Sequence, residues 1–283
     1  MTPPDLKTFM TRLEHLALIK TQGVDSDTFL QGQLSNDVRE LNATRAQLSS
    51  FNSPKGRMLA VLKLFRSQDA IFIELHRSVL DATLKRLRMF VMRSKVNLED
   101  VSSARGAIGL AGPGAGAVLK EIGLPVPAAP LALVWVDDVA IIRQHGVYPR
   151  FTVCAPLQGL NTLSSALDGK VQTMDAENWK RLEIEAGIPT VYPATIDHFV
   201  PQMCNLDTLG GISFNKGCYT GQEIVARVHY RGAIKRRMVQ VRSDGDLPAP
   251  GSKIAGGEVV DAARHPDGHN CLLIVAADDA QTR

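Results

Sequence analysis

Strand-like and helix-like segments follow one another in irregular order over the first ~230 residues of this chain, which argues for α+β rather than a regular doubly wound sheet. A regular doubly wound parallel sheet needs regular alternation. Residues 16–20 read as a strand, and Asp25 as the N-cap of a helix carrying Phe29, Leu30 and Leu34 that ends near Asn36-Asp37. Residues 47–51 and 58–65 read as strands around a Pro54-Lys55-Gly56 turn, with 70–75 continuing the β pattern. Ser78 caps a helix through about Met92. Residues 105–111 form a strand, and Gly112-Pro113-Gly114 leads a helix ending at Gly123. Residues 131–136, 139–143 and 151–155 are further strands, and 161–167 are helical. Asp175 caps the strongest helix, 176–186, which Gly187 and Pro189 stop, with Trp179, Leu182 and Ala186 on one face. Short strands at 238–241, 258–262 and 271–276 then alternate with turn signals, the pattern of a small barrel-like domain. The expected class is α+β.

At 283 residues, two or three domains are expected. A net charge of +3 neither demands nor excludes nucleic acid, and the densest basic run, Lys235-Arg236-Arg237, reads as the decoration of an exposed strand. No stretch approaches the ~20 apolar residues of a bilayer span, and no signal segment opens the chain, so a cytosolic protein is expected. The four cysteines, Cys154, Cys204, Cys218 and Cys271, are widely spaced with no C-x-x-C pair. That spacing suits neither a disulfide framework nor a self-contained zinc or cluster site, so a metal–sulfur role would need ligands from elsewhere.

One cysteine stands apart. Cys218 lies in Lys216-Gly217-Cys218-Tyr219-Thr220-Gly221-Gln222-Glu223, just ahead of a helix beginning Ile224-Val225-Ala226-Arg227. Thr220 and Glu223 have capping-box spacing, which would put Cys218 two residues before the N-cap, near the positive end of the helix dipole. Lys216 adds a cation, and Arg227, His229 and Arg231 follow within about three turns. Such surroundings favour thiolate and make Cys218 a candidate reactive or ligand-donating cysteine. A buried structural cysteine in a tight turn is the competing reading, and both stay open on sequence physics alone.

Residues 210–232, GGISFNKGCYTGQEIVARVHYRG, closely resemble the signature of the YgfZ family. These proteins are described as folate-binding, tRNA-modification or iron–sulfur maturation proteins related to the glycine-cleavage aminomethyltransferase. Residues 29–38 (FLQGQLSNDV), Pro54-Lys55-Gly56-Arg57, and Phe199-Val200-Pro201-Gln202 with Asn205-Leu206-Asp207 match in order, so the resemblance runs from about residue 15 to 240. It implies two interlocked α/β lobes of aminomethyltransferase type, the first discontinuous (1–45 and 172–234) and the second 46–171, around a central channel. A C-terminal β-barrel-like domain, 235–283, completes the implied fold.

The resemblance also implies tetrahydrofolate or a related folate in the channel, near Trp179, with Gln202, Asn205, Tyr219, Glu223 and Arg227 as further folate-binding candidates. Cys218 would be the functional thiol and Lys216 the cation holding it as thiolate. Gly217 and Gly221 would allow the turn, and Arg227 would pair with Glu223. An iron–sulfur cluster would be met only transiently or through a partner. The implied partners are iron–sulfur client enzymes, such as the radical enzymes that methylthiolate tRNA; direct nucleic-acid binding is not expected, and a monomer is.

Two departures bear on activity. Leu16 stands where relatives can carry a tryptophan, which weakens a two-aromatic clamp on folate. Leu59-Ala60 stand where the aminomethyltransferases carry a paired acidic motif, and neither side chain can take a proton. Aminomethyl transfer by that route is therefore not expected. A one-carbon transferase with a changed acid/base set, and a passive client-binding scaffold, remain the alternatives to a folate-binding accessory protein. Elsewhere, Gly112-Pro113-Gly114-Ala115-Gly116 imitates a dinucleotide fingerprint with the wrong spacing and reads as a helix start. His265-Pro266-Asp267-Gly268-His269 reads as a hairpin turn, and no metal ligand is assigned. A Cys218–His229–Asp207 constellation would resemble a hydrolase, but a solvated helix-end histidine is the expectation for His229.

Overall fold

The structure is a computed structural model and describes residues 6–232 and 234–277. The chain opens with β1 (Phe9–Arg12), β2 (Leu16–Gln22) and the short α1 (Ser26–Gln31). Next come β3 (Gln47–Asn52), β4 (Met58–Arg66), β5 (Ile71–His76), α2 (Leu80–Met89) and β6 (Asn97–Asp100). A second run holds β7 (Arg105–Ala111), α3 (Ala115–Glu121), β8 (Leu133–Val136), β9 (Val139–Arg143), β10 (Arg150–Pro156), α4 (Leu157–Leu167) and β11 (Gln172–Thr173). Helices α5 (Ala176–Glu185) and α6 (Gln222–Arg231) follow, and β12 (Arg236–Ser243), β13 (Lys253–Ile254), β14 (Gly257–Arg264) and β15 (Asn270–Ala277) end the described chain.

Three sheets result: five strands in the order β3-β4-β5-β2-β6, six in the order β11-β1-β7-β10-β9-β8, and four in the order β12-β15-β14-β13. The first two are packed face to face. Leu18, Leu48, Phe65 and Phe72 from one meet Leu133, Ala140, Ile142 and Cys154 from the other, and Phe65 and Phe72 stack at 5.3 Å. The outer face of the five-stranded sheet is covered by α1 and α2 through Phe29, Leu30, Leu80, Leu84 and Leu87. That of the six-stranded sheet is covered by α3 and α4 through Ala115, Leu119, Leu160 and Leu163. Strand β4 shows why: its burial alternates in the period of two that puts neighbours on opposite faces. The four C-terminal strands form a curled half-barrel whose β14 and β15 rest on α5. Residues 47–100, on the far side of the expected boundary at 45/46, share their sheet with β2; the change of sheet falls between β6 and β7.

Local signals worked best where nothing else competed for the side chain. Asp175 caps α5 by accepting from the Asn178 N–H at 3.2 Å, and Gly187, at φ +68°, stops it. Asp25 holds the N-cap position of α1, yet its carboxylate accepts from the Lys95 N–H at 2.6 Å instead of from the helix. Helix α1 ends at Gln31 rather than at residues 36–37, and residues 35 and 36 bond across to the segment before Cys218. Among the described residues, no helix is long and apolar enough to cross a membrane.

Candidate functional site

Cys218 sits exposed on a turn that is otherwise tied down on all sides, while Cys154, Cys204 and Cys271 are buried. Burial pushes the Cys154 thiol up to about 12, and pushes those of Cys204 and Cys271 up as well. Ahead of the turn, Ser35 Oγ donates to the Gly211 carbonyl at 2.7 Å and Asn36 Nδ2 to the Gly210 carbonyl at 2.7 Å. Behind it, the buried Gln202 donates through Nε2 to the Val225 carbonyl at 2.6 Å and so anchors α6. Gly221 lies between, in the left-handed region at φ +81°, and packs on Gly56 of the Pro54-Lys55-Gly56 turn.

Several expected roles change. The N-cap of α6 is Gly221, with no side-chain cap, so the Thr220–Glu223 capping box does not form and Cys218 lies three residues before the N-cap rather than two. Lys216 does not face the thiol. Its ammonium is buried and donates to the carbonyls of Gln31 (2.7 Å), Leu34 (2.5 Å) and Asn36 (2.9 Å), which uses all three of its protons. It also lies 4.9 Å over the ring of the buried Tyr219. Burial draws the Lys216 pKa down to about 8, so it is mostly ammonium at neutral pH. Gly217 has open space where a Cβ would go, so the turn requires glycine at 221 and not at 217.

Among the described residues no Glu223–Arg227 ion pair is found; both side chains line a shallow outer face of α6 with Tyr230. His229 stacks on Phe214 at 3.7 Å, and Asp207 is paired with Arg237 at 2.8 Å, so the Cys218–His229–Asp207 constellation is not assembled. That pairing also gives Arg237 a bracing role in place of the expected solvated one, alongside Asn205, whose Nδ2 donates to the Met238 carbonyl at 2.8 Å. The glycine-rich helix start at 112–116 has its Gly114 N–H taken by Thr8 Oγ1 at 2.9 Å.

A separate cavity of about 310 Å³ lies beside α5, between the five-stranded sheet and the half-barrel. Trp179 forms one wall. Its ring is 1% exposed, packed against Gly109 and 5.0 Å from the Arg150 guanidinium, so it is a wall and not a free stacking platform. Val61 and Lys63 of β4 reach the cavity, whereas Leu59 faces another depression and Ala60 is packed in the core. Carboxylates come instead from Glu74 on β5, Glu177 and Glu183 on α5 and Asp261 on β14. Glu74 is paired with Lys63 at 2.7 Å, and Glu183 with Arg150 at 3.4 Å. His15 and His76 complete that side; burial pulls both imidazoles down, His76 to about 4, and His15 Nδ1 is buried without a partner. None of Gln202, Asn205, Tyr219, Glu223 or Arg227 lines this cavity, so Trp179 alone of the expected folate contacts is found there.

No protein-family model matches the chain. It is 33% identical over 279 residues to the tRNA-modifying protein YgfZ of Enterobacter sp. (strain 638), covering 95% of this chain and 85% of that one. It is 36% identical over 244 residues to the tRNA-modifying protein YgfZ of Yersinia pestis (strain Pestoides F), covering 86% and 73%. This chain belongs to the YgfZ family. Its fold is that of the glycine cleavage system aminomethyltransferase T from Bartonella henselae, with a TM-score of 0.77 over 96% of this chain and 79% of that one at 19% identity. Within that fold, this YgfZ chain keeps a cavity beside α5 and displays a cysteine on a glycine-supported turn.

Asp261 gives this YgfZ cavity a pH signature. Its carboxyl is 1% exposed; the Tyr192 hydroxyl donates to both oxygens at 3.0 Å, and Lys180 lies 3.2 Å away. Burial outweighs these partners and lifts its pKa to about 6. An unfolded aspartate titrates near ~3.9, so the folded state holds a proton that the unfolded state has lost between pH ~4 and ~6. The stabilisation is complete below pH ~4 and is lost, by about 3 kcal/mol, as pH rises through ~6. Urea unfolding should therefore show Asp261→Asn gaining stability relative to the wild type between pH 4 and pH 7. A difference independent of pH would contradict the assignment.

Proposed function

We propose that this protein binds a reduced folate in the cavity beside α5 and supports iron–sulfur enzymes, those that modify tRNA among them, through the thiol of Cys218. The observation that carries the thiol role is exposure: three cysteines are buried, and Cys218 is presented on a turn braced on either side by Ser35 and Gln202. A structural cysteine has no use for such a display, whereas a thiol that must meet another protein or a cluster requires it. The relatives named tRNA-modifying protein YgfZ supply the link to tRNA.

The cavity suits a folate ring. The indole of Trp179 forms an apolar wall, Glu74 and Glu183 offer acceptors for ring N–H groups, and His15 Nδ1 awaits a partner. Lys63 and Lys180 offer positive charge for an acidic tail. The folate site and the thiol use different elements, so the two halves of the proposal can fail separately.

In cells lacking their own YgfZ, the wild-type chain should restore tRNA methylthiolation, and Cys218→Ser should leave it at the deletion level, a drop of tenfold or more. Full activity of the serine variant would remove the thiol from the mechanism. The folate half is read by equilibrium dialysis with tetrahydrofolate, where absence of binding would empty the cavity of that role. A second reading has its own support: Glu74, Glu183 and Asp261 are a relocated set of carboxylates that could serve a one-carbon transferase. It predicts consumption of a one-carbon tetrahydrofolate by the purified protein, which the accessory reading does not.

A further inference from the structure

The hairpin joining β14 to β15 carries His265, Asp267 and His269 in five residues, and the fold brings all three together. The His265 N–H donates to the His269 carbonyl at 2.8 Å, and the Gly268 N–H to the His265 carbonyl at 3.0 Å, which closes the turn. The two imidazoles then stack, centroids 4.4 Å apart, and both present Nδ1 to the same oxygen, Asp267 Oδ1, His265 at 2.7 Å. One donor atom from each of the three residues lies within 4.8 Å of the others.

We propose that this turn is a binding site for a divalent cation of the zinc class, held by Nδ1 of His265, Nδ1 of His269 and the carboxylate of Asp267. Two imidazoles and a carboxylate suit zinc and its neighbours in the transition series and not calcium or magnesium, which take oxygen donors. Metal–nitrogen and metal–oxygen bonds of about 2.0–2.2 Å can be reached by small side-chain rotations from this arrangement.

The second observation lies on the far side of each ring. A histidine that binds metal through Nδ1 must carry its proton on Nε2, and it needs an acceptor there. His265 Nε2 faces Glu185 Oε1 at 4.0 Å, and His269 Nε2 faces Cys271 Sγ at 3.7 Å. Cys271 Sγ is thus placed to hold the Nε2–H tautomer of His269, while His265 Nδ1 already accepts the Asp267 backbone N–H at 3.3 Å, the same lone pair that the ion would take over. Exposure grades in the same sense: the side chains of His265 and His269 are 9% and 12% exposed, and that of Asp267 is 52% exposed, leaving one open side for entry and for a water ligand. His265 and Cys271 also border a second cavity, of about 710 Å³, on the opposite side of α5. Binding deprotonates no thiol and needs no redox partner; protons on Nδ1 transfer to Nε2 or leave to solvent as the ion enters.

The test is titration of the chelator-treated full-length protein with Co²⁺, read by its visible d–d absorption. The proposal expects one Co²⁺ per chain, displaced by one equivalent of Zn²⁺, with affinity falling 100-fold or more in His269→Gln and in Asp267→Asn. The metal-free melting temperatures of both variants should match the wild type within a few degrees, so that lost binding is not lost folding. If either variant is unfolded, the same loss in His265→Gln carries the test. Absence of saturable Co²⁺ binding by the wild type would overturn the site. So would undiminished binding by the folded variants, or binding that Cys218→Ser removes, which would put the ion on the exposed thiol.

Discussion

Gly221→Ala should lower the stability of this protein by about 3 kcal/mol and release the turn that carries Cys218. A left-handed backbone at φ +81° costs an L-residue about 1 kcal/mol, and the added methyl has nowhere to go. Its carbon would lie 2.4 Å from the Ser53 carbonyl oxygen and 2.8 Å from the Gly56 Cα, and both are backbone atoms that cannot rotate aside. The two turns must separate, and α6 loses its seat against Gly56. Gly217→Ala, one residue before the thiol, meets open space and should change stability by less than about 0.5 kcal/mol. Urea denaturation of the pair decides the matter. A loss below 1 kcal/mol for Gly221→Ala would mean that the turns slide apart freely.

Lys216→Met should be at least as damaging, at about 4 kcal/mol, or a drop of roughly 10 °C in melting temperature. Methionine keeps most of the apolar stem but strips three carbonyls, those of Gln31, Leu34 and Asn36, of their shared donor in a buried site. Lys216→Arg should rescue little, because a planar guanidinium cannot point three protons at one converging set of carbonyls. A methionine variant within 1 kcal/mol of wild type would show that water replaces the ammonium there.

At those two residues distant contacts override local pattern. Thr220 and Glu223 make a capping box on paper, but the backbone at 221 is set by the Pro54-Lys55-Gly56 turn, and no local pattern records a contact with residue 56. Lys216 is two residues from Cys218 in the chain, and that closeness suggested an electrostatic pair; its ammonium follows the carbonyls instead. Strands with clear apolar runs, such as Arg105–Ala111 and Val139–Arg143, are legible to the residue. Strand β1, Phe9–Arg12, is too short and mixed to announce itself, and β6, Asn97–Asp100, buries only Leu98. The cavity leaves the faintest trace in the sequence. Its ionisable groups come from β2's approach, β4, β5, α5 and β14, three of them (Glu177, Lys180 and Glu183) from α5, and no short sequence motif gathers them. The available hint was charge inside apolar strands: Lys63 between Leu62 and Leu64, and Glu74 between Ile73 and Leu75.

The ammonium of Lys216 reaches back 180 to 185 residues to find its acceptors. A nascent chain leaving the ribosome therefore carries a half-made socket, the carbonyls of residues 31, 34 and 36, long before the residue that fills it has been synthesised. The turn bearing Cys218 can set only when the late segment closes on the early one, a long and slow loop closure. The thiol takes up its displayed position only in a chain whose early and late segments have met. A truncated or misfolded copy would expose a cysteine but would not present one.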